Sequence, residues 1–167
     1  WEAWDHAGAL AATESWFWGD LTDNYLELSK SRAYEGDPSA LGTLLHGLQV
    51  VLRLFAPVLP YITEEVWNTG REEPMSIHQS AWPSLDQMPD GEDDGSFDVA
   101  VEVLGRVRRT KSEAKVSIKY PVARVEVRGP SEPLALLRGV WDDVMATGNI
   151  QDHEFIDDDT LDELDVS

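Results

Sequence analysis

Of the 13 basic residues in this 167-residue chain, eight fall between Arg106 and Arg128: Arg106, Arg108, Arg109, Lys111, Lys115, Lys119, Arg124 and Arg128. Only Glu113 and Glu126 oppose them there. Guanidinium and ammonium groups gathered in this way suit the holding of a polyanion, because phosphate contacts are made by Arg and Lys. The formal net charge of −19 opposes such binding for the molecule as a whole. Local charge, however, decides where a polyanion docks. The acids collect elsewhere, at 90–98 and 152–165, and read as a solvated loop and a tail.

Covalent and metal chemistry find little material. There is no Gly-rich phosphate loop, no G-x-S-x-G elbow and no H-E-x-x-H pair. The four histidines, His6, His46, His78 and His153, lack ligand spacing and read as surface or helix residues. Asp90, Glu92, Asp94 and Gly95 mimic the opening of a calcium loop, but its twelfth position is Val101, where a bidentate Glu is required. Glu64 and Glu65 are adjacent, so on a helix they diverge; they read as solvated first-turn carboxylates. With no cysteine, disulfides and thiolate metal sites are excluded. Catalytic residues: none; metal ligands: none.

The elements that position the cations follow from periodicity. Residues 2–35 read as one long helix or a broken pair, with Trp18, Leu21, Tyr25 and Leu28 as a core stripe and Gly8 and Gly19 as interruptions. Gly36 is placed to cap its end. Asp37 and Pro38 start a second helix, with an apolar face of Leu41, Leu44, Leu45, Leu48, Leu52 and Phe55. Pro57 and Pro60 break that helix, and Tyr61–Trp67 continue it. Residues 68–95 read as loop. Ser96 caps a third helix running to about Lys115, with Phe97, Val101, Leu104 and Val107 buried and Arg106, Arg109 and Glu113 more exposed. Beyond Pro121, Ala123, Val125 and Val127 alternate with charged residues, as in a half-buried strand. Ser131 opens a helix carrying Leu134, Leu137, Trp141 and Met145, and 149–156 is a second strand. The expected fold is mainly α: a helical bundle over 1–118, a small strand–helix–strand α/β appendage over 119–156, and a disordered acidic tail over 157–167.

The size and the 42% hydrophobic content suit one core with an appendage. No apolar run approaches the roughly 20 residues of a membrane span, and nothing resembles a signal peptide. Trp1 lies within a helical pattern, which reads as the interior of a longer chain.

Three motifs carry a resemblance. Leu54-Phe-Ala-Pro-Val-Leu-Pro-Tyr-Ile-Thr-Glu-Glu-Val-Trp67 is followed ten residues later by Ile77-His-Gln-Ser-Ala-Trp-Pro83. Trp18-Gly-Asp-Leu-Thr-Asp-Asn-Tyr-Leu-Glu-Leu-Ser-Lys30 precedes them, and Val103-Leu-Gly-Arg-Val-Arg-Arg-Thr-Lys-Ser-Glu-Ala-Lys115 leads towards Pro121. In this order they resemble the anticodon-binding domain of class I aminoacyl-tRNA synthetases, over residues 3–127. The Tyr25-Leu26-Glu27 step, Lys30 and the Arg-x-x-Lys-Ser-Glu pattern favour the valine enzymes over those for isoleucine and leucine. Many bacterial valine enzymes continue into a C-terminal helical hairpin, whereas this sequence stops at Ser167 in acidic residues.

The resemblance implies a tRNA-reading module without chemistry of its own. ATP, with Mg, would act in a catalytic domain of the parent chain; the His-x-Gly-His and Lys-rich signatures of that domain are absent here. The implied partners are the tRNA(Val) anticodon stem-loop and the catalytic and editing domains of the parent, in the cytoplasm, with no DNA and no membrane. An anticodon loop offers unpaired bases for stacking and edge recognition, with phosphates held by cations. The candidate RNA-binding residues are Lys30, Arg32, Arg53, Arg106, Arg109 and Lys111. Three have a specific structural alternative: Arg53 pairing with an acid, and Lys30 and Arg32 serving a helix C-terminus. A different class of reading is an acidic helical protein-interaction module that does not bind RNA.

Overall fold

The computed structural model describes residues 5–87 and 94–167; Asp90 and Glu92 of the calcium-loop-like run lie outside them. The chain is mainly helical with a small C-terminal α/β part, as its periodicity predicts. It divides into two compact units, Trp1–Leu26 with Gly36–Gly91 and Glu27–Glu35 with Glu92–Ser167. The expected boundary after residue 118 does not separate them, because the third long helix shares its core with the strands that follow it.

In the first unit, α1 (His6–Ser15) begins at Asp5, whose carboxylate accepts the Gly8 N–H. It runs into a π-helical stretch, Trp16–Leu26. Bonding from i to i+5 shifts the angular spacing of side chains, and of the expected stripe Leu28 is buried and Leu21 and Tyr25 half-buried, while Trp18 leaves it. Trp18 is 61% exposed as a result, while Phe17 meets the Phe55 ring edge-on at 5.7 Å. Next comes α3 (Pro38–Phe55), started as expected by the Asp37 carboxylate, which accepts from the Ser39 and Ala40 N–H groups. Residues Val58 and Leu59 lead into α4 (Pro60–Asn68), with Pro at its first turn.

One core cluster of this unit is Leu52, Ala56, Trp67 and Ile77, with Val66 against them, and α3 also buries Ala40 and Val51. The apolar face of α3 is only partly covered. Leu41, Leu45 and Leu48 are 46%, 56% and 42% exposed, so the expectation of a continuous buried face including Leu48 is corrected. Residues 69–87 contain two short 3₁₀ turns, Ile77–Gln79 and Leu85–Gln87. Glu64 anchors this loop by accepting from Ser76 Oγ (3.1 Å) and the Ile77 N–H (2.9 Å), so it is not merely a solvated carboxylate. The Arg71 guanidinium lies 4.4 Å from the centre of the Trp67 ring.

In the second unit, α2 (Glu27–Tyr34) packs on a later helix, α7 (Trp141–Gly148). Residues Asp94 and Gly95 lead into α5 (Ser96–Glu113). Its cap position is Gly95, at φ +77°, and Asp94 accepts the Ser96 N–H. The buried stripe of α5 is Ala100, Val103, Leu104, Val107 and Lys111. Steps of three and four keep these residues on one face, and Lys111 stands at the next position of that stripe.

Beyond α5 come β1 (Val125–Gly129), α6 (Ser131–Gly139), α7 (Trp141–Gly148), β2 (His153–Asp157) and β3 (Asp165–Val166). The single helix expected from Ser131 is broken at Val140, whose backbone (φ −121°, ψ 11°) leaves the α region. The sheet order is β2-β1-β3, parallel for β1 with β2 and antiparallel for β1 with β3. Val125 and Val127 are buried, joining Leu134, Leu137, Trp141, Val144 and α5 in one core. His153, expected at the surface, sits against the Trp141 ring at 5.0 Å.

Residues 157–167, expected to be a disordered tail, are corrected too. Leu164 is 3% exposed, and the Glu126 and Ser167 backbones exchange hydrogen bonds of 2.9 and 3.0 Å. A Cβ at Gly129 would stand 2.7 Å from Leu164 Cδ2, so glycine permits this close approach. Burial of one leucine and pairing of a free strand edge hold the segment, while its carboxylates stay towards water.

Lys111 is 5% exposed. Its ammonium donates to the Ile118 carbonyl (2.9 Å) and the Gly148 carbonyl (2.8 Å), joining the end of α5, the loop after it and the end of α7. Burial pushes its pKa below the ordinary lysine value.

Leu104→Ala and Leu134→Ala are expected to lower the unfolding free energy by about 2–5 kcal/mol each in urea titrations. Leu48→Ala, removing a half-exposed side chain, should cost clearly less; an equal loss would mean that the α3 face is covered in solution. Lys111→Ala should cost about 1–3 kcal/mol for each carbonyl left without a donor. Unchanged stability would show that water replaces the ammonium there.

Candidate nucleic-acid interface

The cations on the open side of α5 are held in ion pairs. Arg106 Nη2 lies 2.8 Å from Glu102 and 3.8 Å from Glu163. Arg109 Nε donates to Glu113 at 2.9 Å, with both side chains well exposed, at 81% and 67%. Such i,i+4 pairs are worth about 0.3–0.5 kcal/mol and are screened by salt. An incoming phosphate can therefore take the place of Glu113 at little cost, and Arg109 stays available to a polyanion.

The other candidates differ. Lys30, on α2, donates to Glu27 at 2.6 Å in an exposed pair. Arg32 presents its planar fork to Asp143 of α7: Nε is 2.9 and 3.1 Å from the two oxygens and Nη2 is 2.9 Å from Oδ2. Asp143 is only 15% exposed, so this is a structural brace between two helices. In the first unit, Arg53 donates to the Gln49 carbonyl (3.0 Å), the Ala81 carbonyl (3.3 Å) and Gln87 Oε1 (3.0 Å). It thus pins residues 81–87 onto α3 and lines a cavity of about 300 Å³ with His78 and Trp82.

The expected surface of six cations is therefore reduced. Lys111 is withdrawn from it, because an enclosed ammonium with two carbonyl partners cannot reach a phosphate. Arg32 is held by a partly buried carboxylate. Arg106, Arg109 and Lys30 remain at the surface of the second unit in weak pairs. The sequence carried a signal for Lys111, since 107 and 111 are one helical turn apart on the buried face; the partner of Arg32, 111 residues away, left none.

Cations outside the original set also have partners. Arg124 pairs with Asp152 (3.5 Å) and closely with Glu154, Arg128 with Glu126 (3.1 Å), and Arg138 with Asp157 (3.0 Å). Arg124 belongs to the segment between α5 and β1, which holds two further cations, Lys115 and Lys119. Residues 114–125 contain three cations and no carboxylate. Among the described residues no group of three or more His, Asp or Glu is placed to hold a metal ion. No described helix is long and apolar enough to cross a membrane.

Comparison with known proteins identifies a family. The family described as the anticodon-binding domain of tRNA ligase matches residues 2–127. The valine–tRNA ligase of Tropheryma whipplei (strain Twist) is 39% identical over 155 residues, which is 93% of this chain and 17% of that protein. That of Thermobifida fusca (strain YX) is 42% identical over 88% of the chain, again 17% of the protein. In Leifsonia xyli the figures are 40% identity, 92% and 18%. The chain spans less than a fifth of the length of these curated relatives. A family match over residues 2–127, three-quarters of the chain, together with 39–42% identity to these ligases, places this chain in the anticodon-binding domain family of tRNA ligases.

Proposed function

We propose that this chain reads the anticodon stem-loop of tRNA(Val) within a valine–tRNA ligase. The observation that carries this reading is the 39–42% identity to valine–tRNA ligases across 88–93% of the chain. The parent chain would join valine to its tRNA at the expense of ATP, with Mg, in a catalytic domain outside this sequence and with an editing domain beside it. Translation enzymes of this kind work in the cytoplasm. The domain itself contributes recognition, by holding an unpaired loop whose bases can be splayed and stacked.

Arg109 is the cation best placed for a phosphate, because its pair with Glu113 is exposed at both ends. Arg106 and Lys30 act in the same way, with weaker claims set by their carboxylate neighbours. The −19 charge favours a small, local footprint and strong dependence on ionic strength. Isoleucine and leucine enzymes are the nearest alternative readings, and no observation favours them.

The test is to measure binding of the full-length ligase to tRNA(Val) transcripts, with native and altered anticodons, across a salt series. Weaker binding after anticodon change, and log K falling with log salt, is expected. Arg109→Ala should raise Kd several-fold, flatten the salt slope by about 0.7 if its phosphate is in the single-stranded loop, and leave the melting temperature within about 1 °C. Equal affinity for both transcripts would overturn the proposal.

A further inference from the structure

We infer that the loop over 114–120, between α5 and β1, is a contact surface for unpaired RNA, with Tyr120 stacking on a base and Lys115 and Lys119 holding the adjacent phosphates. This inference rests on the anticodon-binding reading and extends it to residues outside the six cations weighed above.

The loop is built as a fixed platform. The helix ends in a Schellman arrangement: the Lys115 N–H donates to the Ser112 carbonyl (3.0 Å) and the Val116 N–H to the Lys111 carbonyl (3.1 Å). A turn follows, in which the Tyr120 N–H donates to the Ser117 carbonyl at 2.8 Å. Two side chains then grip consecutive carbonyls from below. Lys111 Nζ holds Ile118 at 2.9 Å, and Asn149 Nδ2 holds Lys119 at 2.9 Å. Past the loop, Val122 exchanges backbone hydrogen bonds of 2.9 Å with Asn149 and Gln151. Ordering such a loop in advance removes an entropy cost from binding.

What the platform displays suits a nucleic acid. Tyr120 and Ile118 are 56% and 58% exposed, and Lys115 and Lys119 are exposed beside them. No carboxylate lies within residues 114–125 of a chain that carries 32 acids, so the segment itself adds no negative charge beside Lys115 and Lys119. Base stacking on an aromatic ring tolerates any base and needs the ring open to solvent, as it is here. Lys115 adds a backbone argument. Its φ is +55°, the left-handed conformation that glycine adopts at no cost and other residues adopt at about 1 kcal/mol or more. A lysine at this position costs stability that glycine would not, which fits a use for its charge.

The test uses full-length ligase, tRNA(Val) transcripts with native and altered anticodons, and variants of the loop. Tyr120→Ala should raise Kd by about 5- to 150-fold, the equivalent of one lost stacked base, whereas Tyr120→Phe should bind as the unaltered protein does. The double variant Lys115→Gly with Lys119→Ala should lower the salt slope by about 1.4, for two single-strand phosphates, and its melting temperature should hold or rise. If the unaltered ligase distinguishes the two transcripts while all three variants keep its Kd and slope, the loop does not touch RNA and this inference alone fails. If Tyr120→Ala lowers the melting temperature and leaves Kd unchanged, the ring packs against protein and the inference is likewise overturned. Equal binding of both transcripts by the unaltered ligase would remove the anticodon reading and this inference together.

Discussion

The second unit turns on one buried cation. An ammonium removed from water is costly unless its donors are engaged, and Lys111 places two of its three N–H bonds on carbonyls from two other segments, Ile118 and Gly148. The end of α5, the loop after it and the end of α7 are thereby tied at one atom. Asn149, left-handed at φ +50° immediately after α7, adds a second tie by reaching Lys119. The path of the chain from α5 into β1, and the parallel pairing of β1 with β2, start from this knot.

Charge in this protein is spent mostly within it. Arg32 braces α2 against α7, Arg138 meets the end of β2, and Arg124 bridges to Asp152 and Glu154. These pairs differ in strength by exposure. A guanidinium fork on a carboxylate that is 15% exposed is a structural joint, whereas Arg109 with Glu113 is a loose surface pair. A strongly acidic protein can therefore hold an RNA at a restricted place, where cations are either weakly engaged or free of neighbouring acids in the sequence. A large basic face is not required.

The first unit follows a different logic. Its largest enclosed cluster is Leu52, Ala56, Trp67 and Ile77, with Ala40 and Val51 also buried on α3, and its loop is fastened by polar ties from Glu64 and Arg53. Leucines at 41, 45 and 48 reach water on α3. Helical periodicity says which residues share a face; it does not say what, if anything, covers that face.

Local signals were readable from the residues in order. Asp37 before Pro38, the paired prolines at 57 and 60, and the two-residue alternation through Val125 and Val127 act within a few residues of themselves, and the elements appear where they point. The mainly helical class with a small α/β part and the family membership were legible for the same reason, since motifs of this kind are contiguous. The strand at Asp165–Val166 and the partners of Arg32 and Lys111 depend on groups far away in the chain, and the π-helical register at 16–26 and the break at Val140 had no signal that periodicity could read. Lys111 and Arg109 are two residues apart and chemically alike in the sequence. Packing sends one into the core against the Gly148 carbonyl and leaves the other in water, because a helix turns by about 100° per residue and the partner surface of Lys111 includes a segment 37 residues further along the chain.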